Sequence, residues 1–296
     1  MNSGELFSVT IMNKMLPIKE RQNTPENIIC LRGQRQAYKQ AKNFYMFRMF
    51  LSIAWPITAV LLYFIFGNEF SNAVIVVSSL ILILTFILEY YEKAYSKMGA
   101  NIQESFDTNV FNMKWNSPLV GGKVSKEDIV LLAEKEKTKE SKLINWYTGI
   151  DTENEAEYTL KAQRMNTAWS IKQKEKFSRF LLFSGILIFI SLIIIGCYHG
   201  FKLYAFLIIL FFPTVSLFIY LFKGWFDFLQ QVNELKRITS SIDALLNKQA
   251  KVTKQELRSI QDSIYIHGRV PNNIIPDVLY NRMRSKLERL FSYTNK

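Results

Sequence analysis

Four runs of about twenty apolar residues dominate the amino-acid sequence and constrain its fold. An α-helix rises about 1.5 Å per residue, so each run is long enough to cross a hydrocarbon core of about 30 Å. No charged side chain lies in the interior of any run. We therefore predict an all-α integral membrane protein, with transmembrane helices at 49–67, 71–90, 180–198 and 203–222.

The distribution of cations predicts the orientation of the chain. Few residues separate the first run from the second, or the third from the fourth, so the spans form two helical hairpins. Every Lys and Arg except Lys202 lies in one of three segments, 1–48, 91–179 and 223–296. By the positive-inside rule, these segments and both termini are expected in the cytoplasm, with the two hairpin tips outside.

The three cytoplasmic segments are expected to pack together as one helical domain. Between Arg32 and Lys42, cations recur every three or four residues, which predicts a basic helix that continues into the first span. Heptad-like spacing of apolar residues from Phe228 to Leu245 predicts a second helix, which continues out of the fourth span. That helix has an apolar seam suited to a partner.

Helix boundaries elsewhere support the all-helical prediction. Ser125 followed by Asp128, and Thr253 followed by Glu256, are capping patterns that begin amphipathic stretches. Pro276 introduces a last predicted helix over about twenty residues. Strand-like alternation is sparse.

The formal net charge of +12 has two interpretations. A membrane protein acquires basic cytoplasmic flanks from its topology and from attraction to anionic lipid. The same cations are also suited to an anionic ligand. The sequence leaves both interpretations open.

The residue sets that most enzymes require are missing from the sequence. The two histidines, His199 and His267, do not form the spacing of a metal site. Gly121-Gly122-Lys123 lacks the upstream glycine and the following Ser or Thr of a phosphate-binding loop. Cys30 and Cys197 are expected in different environments, so no disulfide is indicated. We predict no catalytic activity, no metal and no cofactor.

The spans themselves carry few polar groups at depth. These groups are Ser and Thr hydroxyls, which fit helix packing better than ion transport. Pro56 and Pro213 are predicted to kink the first and fourth spans at similar depth, where a kink would suit gating. Because four apolar helices cannot enclose a wide hydrated lumen, a pore would require a homo-oligomer.

Several strings of residues outside the spans carry a resemblance to a known family. They are Glu20-Arg21-Gln22-Asn23-Thr24-Pro25-Glu26-Asn27, Gln34-Arg35-Gln36-Ala37-Tyr38, Ile102-Gln103-Glu104, Phe106-Asp107-Thr108, Asn145-Trp146-Tyr147, Gln163-Arg164 with Asn166 and Trp169, and Pro276-Asp277 with Tyr280. Their order over nearly the whole chain resembles the SMODS-associating four-transmembrane effector family of bacteria. Ala162, Ser170 and Val278 depart from residues common in that family.

The resemblance implies a role in bacterial anti-phage defence. It implies an effector in the inner (plasma) membrane that forms pores or disrupts the bilayer and causes abortive infection. A cyclic oligonucleotide, made by a separately encoded synthase, is expected to activate or restrain it. No DNA or RNA polymer is expected as a partner.

Two groups of residues have the composition of a site for such a nucleotide. They are Gln34, Arg35 and Tyr38 before the first span, and Gln163, Arg164, Asn166 and Trp169 before the third. Arginine pairs with phosphate, while amide and aromatic side chains contact bases. The alternative is that the Gln-Arg pairs are buried polar links between helices.

Two rival functions fit the same topology. A small-solute channel or carrier would need only the spans. A membrane-anchored scaffold would use the helix after the fourth span to recruit a protein and would need no pore.

Overall fold

Four long helices form the framework of the protein. The computed structural model describes residues 16–270, apart from the side chain of Asn68, and residues 274–276. The helices are α1 Ile18–Arg21, α2 Pro25–Phe66, α3 Ser71–Val110, α4 Ser117–Val120, α5 Lys126–Lys135, α6 Glu155–Tyr198, α7 Leu203–Leu246 and α8 Lys254–Ser263. The described residues contain no strand, and α2, α3, α6 and α7 are long and apolar enough to cross a membrane. The predicted all-α, four-span architecture is confirmed.

Each long helix is a span that continues into a stalk outside the apolar run. The stalks are residues 25–48 of α2, 91–110 of α3, 155–179 of α6 and 223–246 of α7. Short turns join the spans at their other ends, where Gly67 and Gly200 have φ angles of 65° and 62°. These left-handed conformations favour glycine, which allows each hairpin to reverse within a few residues.

Several hydroxyl groups in the spans form hydrogen bonds within their own helices, and their predicted role in helix packing stays a prediction. Thr58, Ser79 and Thr214 donate hydrogen bonds to carbonyls of their own helices. One bond crosses the first hairpin, from Trp55 Nε1 to Ser78 Oγ at 2.8 Å.

The two prolines in the spans have different surroundings. Pro56 lies inside α2, which continues without a break from Pro25 to Phe66. In α7, a π-helical segment, Phe206–Phe211, comes directly before Pro213, and a second follows at Ile219–Lys223. Since proline cannot donate a helix hydrogen bond and crowds the preceding turn, the wider π turn accommodates it. A gating role for either proline stays a prediction.

Aromatic rings of α7 pack against glycines of α6 in the second hairpin. A Cβ atom on Gly196 would lie 2.7 Å from Cδ2 of Phe206, and one on Gly185 would lie 3.1 Å from Cζ of Phe222. Phe206 and Phe222 lie within the two π-helical segments. The contacts fix the register of the two helices, because neither ring leaves space for a larger residue.

The predicted apolar seam of α7 packs against other helices of the same chain. Val232, Leu235 and Ile242 pack against residues of α6 and α8, including Leu160 and Leu257. Both predicted capping patterns are confirmed, since Ser125 accepts a bond from the Asp128 N–H and Thr253 forms a capping box with Glu256. The last predicted helix, from Asp277 onward, lies outside the described residues.

Gly196→Ala is expected to destabilise the second hairpin. The added methyl group would overlap the Phe206 ring, and overpacking of this kind costs about 1–3 kcal/mol. Thermal unfolding in detergent measures the loss. The double variant Gly196→Ala/Phe206→Leu is expected to recover part of it, whereas additive losses would contradict the packing. Gly122→Ala is the control, because no atom lies within 4 Å of its Cβ position.

Candidate functional site: two polar layers across the stalks

Two members of the second predicted site group belong to a buried polar network far from the spans. Gln163 is fully buried and donates a hydrogen bond from Nε2 to Gln261 Oε1 at 3.0 Å. Asn166 donates from Nδ2 to the Tyr147 hydroxyl at 3.0 Å. Gln261 lies on α8 and Tyr147 in the segment before α6. Gln163 therefore links α6 to α8, which is the alternative interpretation raised from the sequence, and Asn166 links α6 to the segment before it.

The centre of this network is a pair of carboxylates on α3. Glu104 and Asp107 are both 0% exposed, one helical turn apart. Arg269 Nη1 lies 3.1 Å from Glu104 Oε2, and Arg269 Nη2 pairs with Asp107 Oδ2. Arg258 Nη2 lies 2.8 Å from Glu104 Oε1. Arg258 is shared with Asp262 on its own helix, so Arg269 is the cation that serves the buried pair alone.

Uncharged hydrogen-bond donors also contact the two carboxylates. Gln261 Nε2 donates to Glu104 Oε2 at 2.8 Å and to Asp107 Oδ2 at 3.2 Å. The Tyr147 hydroxyl donates to Asp107 Oδ1 at 2.6 Å. We call the set of Glu104, Asp107, Tyr147, Gln163, Asn166, Arg258, Gln261 and Arg269 the distal network. It ties α3, α6, α8 and the π-helical segment Ile264–Arg269 to one another.

The electrostatics of the distal network follow from burial and pairing. Burial lowers the pKa of Arg269, but Asp107 and Glu104 outweigh this effect, so its pKa is raised and it stays cationic. Burial and the neighbouring Asp107 carboxylate raise the pKa of the Tyr147 phenol well above its usual value. The Tyr147 phenol therefore stays protonated and donates its hydrogen bond to Asp107.

The remaining predicted residues of the α6 group lie at the edge of this network. Arg164 Nε lies 2.5 Å from Asp243 Oδ1, which joins the stalks of α6 and α7 near the surface. Both side chains are about one third or more exposed, at 34% and 42%. Trp169 is partly buried one turn further along α6.

The first predicted group lies on the α2 stalk, against α3. Gln34 is 3% exposed, and its Oε1 has no hydrogen-bond partner in the described part of the chain. The Tyr38 ring covers Gly99, and its hydroxyl donates to Gln103 Oε1 at 3.3 Å. Arg35 is half-buried, and the described residues offer it no ion pair. Its guanidinium group is the one in this group that stays available to an anion.

A second polar layer lies where the spans meet the stalks. Arg48 of α2 donates to Glu92 Oε2 from Nη2 at 2.7 Å and from Nε at 3.1 Å. Glu89 of α3 pairs with both Arg48 and Lys223 of α7. The hydroxyls of Tyr45 and Tyr220 share a hydrogen bond beneath the Arg48 guanidinium. We call Tyr45, Arg48, Glu89, Glu92, Tyr220 and Lys223 the boundary layer.

The boundary layer joins the first hairpin to the second. A cavity of about 30 Å³ lies among its side chains, which is room for about one water molecule and too little for a nucleotide. Ile274 packs into the same place, against Tyr45, Phe177 and Phe228. Ile274 thus lies at the boundary layer, while Arg269, five residues earlier in the sequence, belongs to the distal network.

Lys174 lies in the α6 stalk between the two layers. Its ammonium group donates to Gln231 Oε1 at 2.7 Å and to the Gly268 carbonyl at 3.1 Å. Both acceptors are uncharged, and burial lowers the pKa of Lys174 to about 7. It therefore links α6 to α7 and to the π-helical segment after α8.

The sequence analysis did not identify the carboxylate pair or the boundary layer. The local signal was weak, because Glu104 and Asp107 lie one turn apart on α3 in a stretch that also holds the polar residues Asn101, Gln103, Ser105, Thr108 and Asn109. Their cations, Arg258 and Arg269, lie more than 150 residues away, and no local pattern points to them. The described residues contain no group of His, Cys, Asp and Glu that could hold a metal ion.

The fold and the polar layers define a class of protein: a four-span helical membrane protein whose spans continue into a clamped helical body. Residues 16–296 match the family described as SMODS-associating 4TM effector domain, and the chain belongs to this family. A probable CBASS effector molecule of Bacillus cereus (strain VD146) is 33% identical over 268 residues, covering 88% of this chain and 91% of that protein. No solved structure matches the chain.

Arg269→Met is expected to destabilise the protein by about 3–5 kcal/mol, because it leaves buried carboxylates without a cation. Chemical unfolding in detergent micelles measures the change. Adding Glu104→Gln and Asp107→Asn should restore part of the stability, since the uncompensated charges are then gone. The control Arg237→Met removes an exposed pair with Glu234 and should cost less than about 1 kcal/mol. Equal losses in both variants would contradict the distal network.

Lys174 predicts a pH dependence of stability. Its pKa is about 7 in the folded protein and near 10.5 in an unfolded chain, so the unfolded state binds more protons between these values. The free energy of unfolding therefore rises with pH from about 7 to 10.5. Relative to Lys174→Met, the wild type should gain up to about 1.4 kcal/mol per pH unit. Unfolding at pH 7, 8 and 9 tests this, and a constant difference would contradict it.

Proposed function

We propose that this protein is an effector of CBASS anti-phage defence that damages the inner membrane under the control of a cyclic oligonucleotide. Its membership of the family supports the effector role, as does the name of its Bacillus cereus relative. The described chain offers no metal-ligand cluster. A separately encoded synthase is the expected source of the nucleotide.

The observation that carries the proposal is the continuity of the four long helices. In α2, α3 and α6 the span passes into the stalk as continuous α-helix, and in α7 it does so through the π-helical turn Ile219–Lys223. A helix transmits a tilt or rotation along its length because its backbone hydrogen bonds hold it together. Changes in the distal network therefore reach the spans directly, over about 22 Å between Asp107 and Glu92 at 1.5 Å per residue.

The proposed nucleotide contacts are Arg35 and Arg164. Arg35 is half-buried and has no carboxylate partner in the described part of the chain. Arg164 is bound to Asp243, and both are partly exposed. A phosphate can replace the Asp243 carboxylate, because it offers the same anionic oxygens to the guanidinium group. This exchange would release α6 from α7 at one end of the stalks.

The other predicted contacts support these two cations. Gln34 and Gln163 directly precede Arg35 and Arg164 in the sequence, and both glutamines are buried. Each has an Oε1 atom without a hydrogen-bond partner in the described residues. Tyr38 and Trp169 offer aromatic faces one turn further along each stalk. Asn166 already holds Tyr147, so its contribution is to position α6.

The boundary layer is where a stalk movement would change the membrane region. It holds α2 and α3 against α7 through charges at the ends of the spans. A ligand alters this arrangement if it binds one conformation more tightly than another, whether it opens the assembly or holds it shut. Because a single copy is a packed four-helix unit, the damaging species is proposed to be a homo-oligomer.

Nucleotide-dependent leakage tests the proposal. Purified protein in liposomes is exposed to a panel of cyclic di- and trinucleotides while release of an enclosed dye is recorded. One nucleotide is expected to change the leakage rate at least tenfold, in either direction. Arg35→Ala and Arg164→Ala should each weaken binding of that nucleotide by about 10- to 100-fold, as expected for the loss of a charge-assisted contact.

Asp243→Ala is the matched control for Arg164→Ala. It breaks the same ion pair but leaves the arginine free, so nucleotide binding should be kept or strengthened. Unchanged binding in both arginine variants would rule out this site. Steady leakage that no nucleotide changes would favour the small-solute channel. No leakage under any condition would favour the membrane-anchored scaffold, although the α7 seam that such a scaffold would use is covered by α6 and α8.

A further inference from the structure

One face of α6 carries a continuous exposed stripe that changes from cationic to apolar. Its apolar part follows the span, with one side chain every three or four residues: Phe183, Leu187, Ile190, Ile194 and Tyr198, between 48% and 85% exposed. The same face continues into the stalk as Lys172, Lys176 and Arg179, all exposed. We call these three cations the α6 cationic stripe.

Most other cations at this level form ion pairs, although Lys97 of α3 is also exposed and has no carboxylate partner among the described residues. Arg48, Lys93 and Lys223 all form ion pairs with Glu89 or Glu92. Lys236 pairs with Glu175. In contrast, the described residues provide no carboxylate for Lys172, Lys176 or Arg179, and Arg179 Nε donates only to the Glu175 carbonyl of its own helix. Their charge is available to a partner outside the chain.

The position of the stripe identifies the partner. Arg179 is the last residue before the predicted span, and Lys172 lies about 10 Å further out at 1.5 Å per residue. The apolar side chains on the same face lie against acyl chains, so the cations lie beneath the head groups of the same lipids. Each Lys or Arg near an anionic leaflet contributes attraction that falls off within about 8–10 Å at ordinary salt.

A second copy of the chain fits this surface poorly. In a two-fold dimer the same patch meets itself, so three cations would face three cations. Phosphate oxygens of a lipid, in contrast, complement the charge and can accept hydrogen bonds from ammonium and guanidinium groups. The occupant must also cover the adjoining apolar stripe, which acyl chains do.

We infer that the α6 cationic stripe binds the phosphates of anionic lipids in the leaflet next to the stalks. This contact fixes the helix that also carries Gln163, Asn166 and Lys174. Anionic lipid then stabilises the position of α6 through its exposed face. The distal network stabilises the same helix through its buried face. The inference stands independently of the proposed nucleotide.

Lipid-dependent thermal unfolding tests the inference. The full chain in neutral detergent is titrated with phosphatidylglycerol or phosphatidylcholine while its Tm is followed. Phosphatidylglycerol should raise the Tm more than phosphatidylcholine does, and 0.5 M NaCl should reduce that difference. In Lys172→Gln/Lys176→Gln/Arg179→Gln, the apparent affinity for phosphatidylglycerol should fall about 10- to 100-fold. The Tm without lipid should stay close to that of the wild type, because the three side chains are exposed.

A variant with the same loss of charge elsewhere is the matched control. The control residues are the exposed lysines Lys135, Lys137 and Lys139, which precede Glu140 in the sequence. Glu140 pairs with Arg32, and Arg32 lies on α2 about 24 Å before the first span at 1.5 Å per residue. Changing the three lysines to Gln should leave the phosphatidylglycerol effect intact. Equal losses in both triple variants, or an unchanged effect in the α6 variant, would overturn the inference. So would an equal effect of glycerophosphoglycerol or inorganic phosphate, which would indicate a site for free anions.

Discussion

A buried carboxylate is stable only beside a cation or strong hydrogen-bond donors, and this requirement organises the body below the spans. Glu104 and Asp107 bring two such groups into the interior on α3. Arg258 and Gln261 of α8, Arg269 of the π-helical segment that follows it, and Tyr147 before α6 satisfy them. Movement of any one element leaves charge unpaired, so the stalks are held in a defined arrangement.

The spans are held together by weaker and less directional contacts. Within them, packing of rings against glycine and a few hydroxyl bonds set the register, as at Gly196 and at Trp55. Lipid competes with apolar side chains on nearly equal terms, so association of spans is easily altered. A protein built this way has a firmly held helical body and spans that associate through weaker contacts. That division is consistent with the proposed function of a regulated membrane effector.

Particular residues show what could be predicted. The spans, the Ser125 and Thr253 caps and the family followed from the sequence, because hydropathy, capping and motif order are local or linear properties. The Gln-Arg pairs could not be assigned in the same way. Gln163 and Arg164 are neighbours on α6, yet Gln163 is fully buried against α8 and Arg164 reaches Asp243 near the surface. A rotation of about 100° between successive helix residues separates their surroundings, and only the packing of α6 decides which side is inside.

The sequence by itself determined that this chain enters a membrane four times as two hairpins, because runs of about twenty apolar residues are stable in little else. Tertiary structure decided which charges are used internally and which remain for partners. Arg269 and Glu104 are 165 residues apart, and Lys223 and Glu89 are 134 apart. Such pairs have no local signature, since their formation depends on how whole helices pack. Within the described ranges, the same packing leaves Lys172, Lys176 and Arg179 without a carboxylate partner on the outer face of α6.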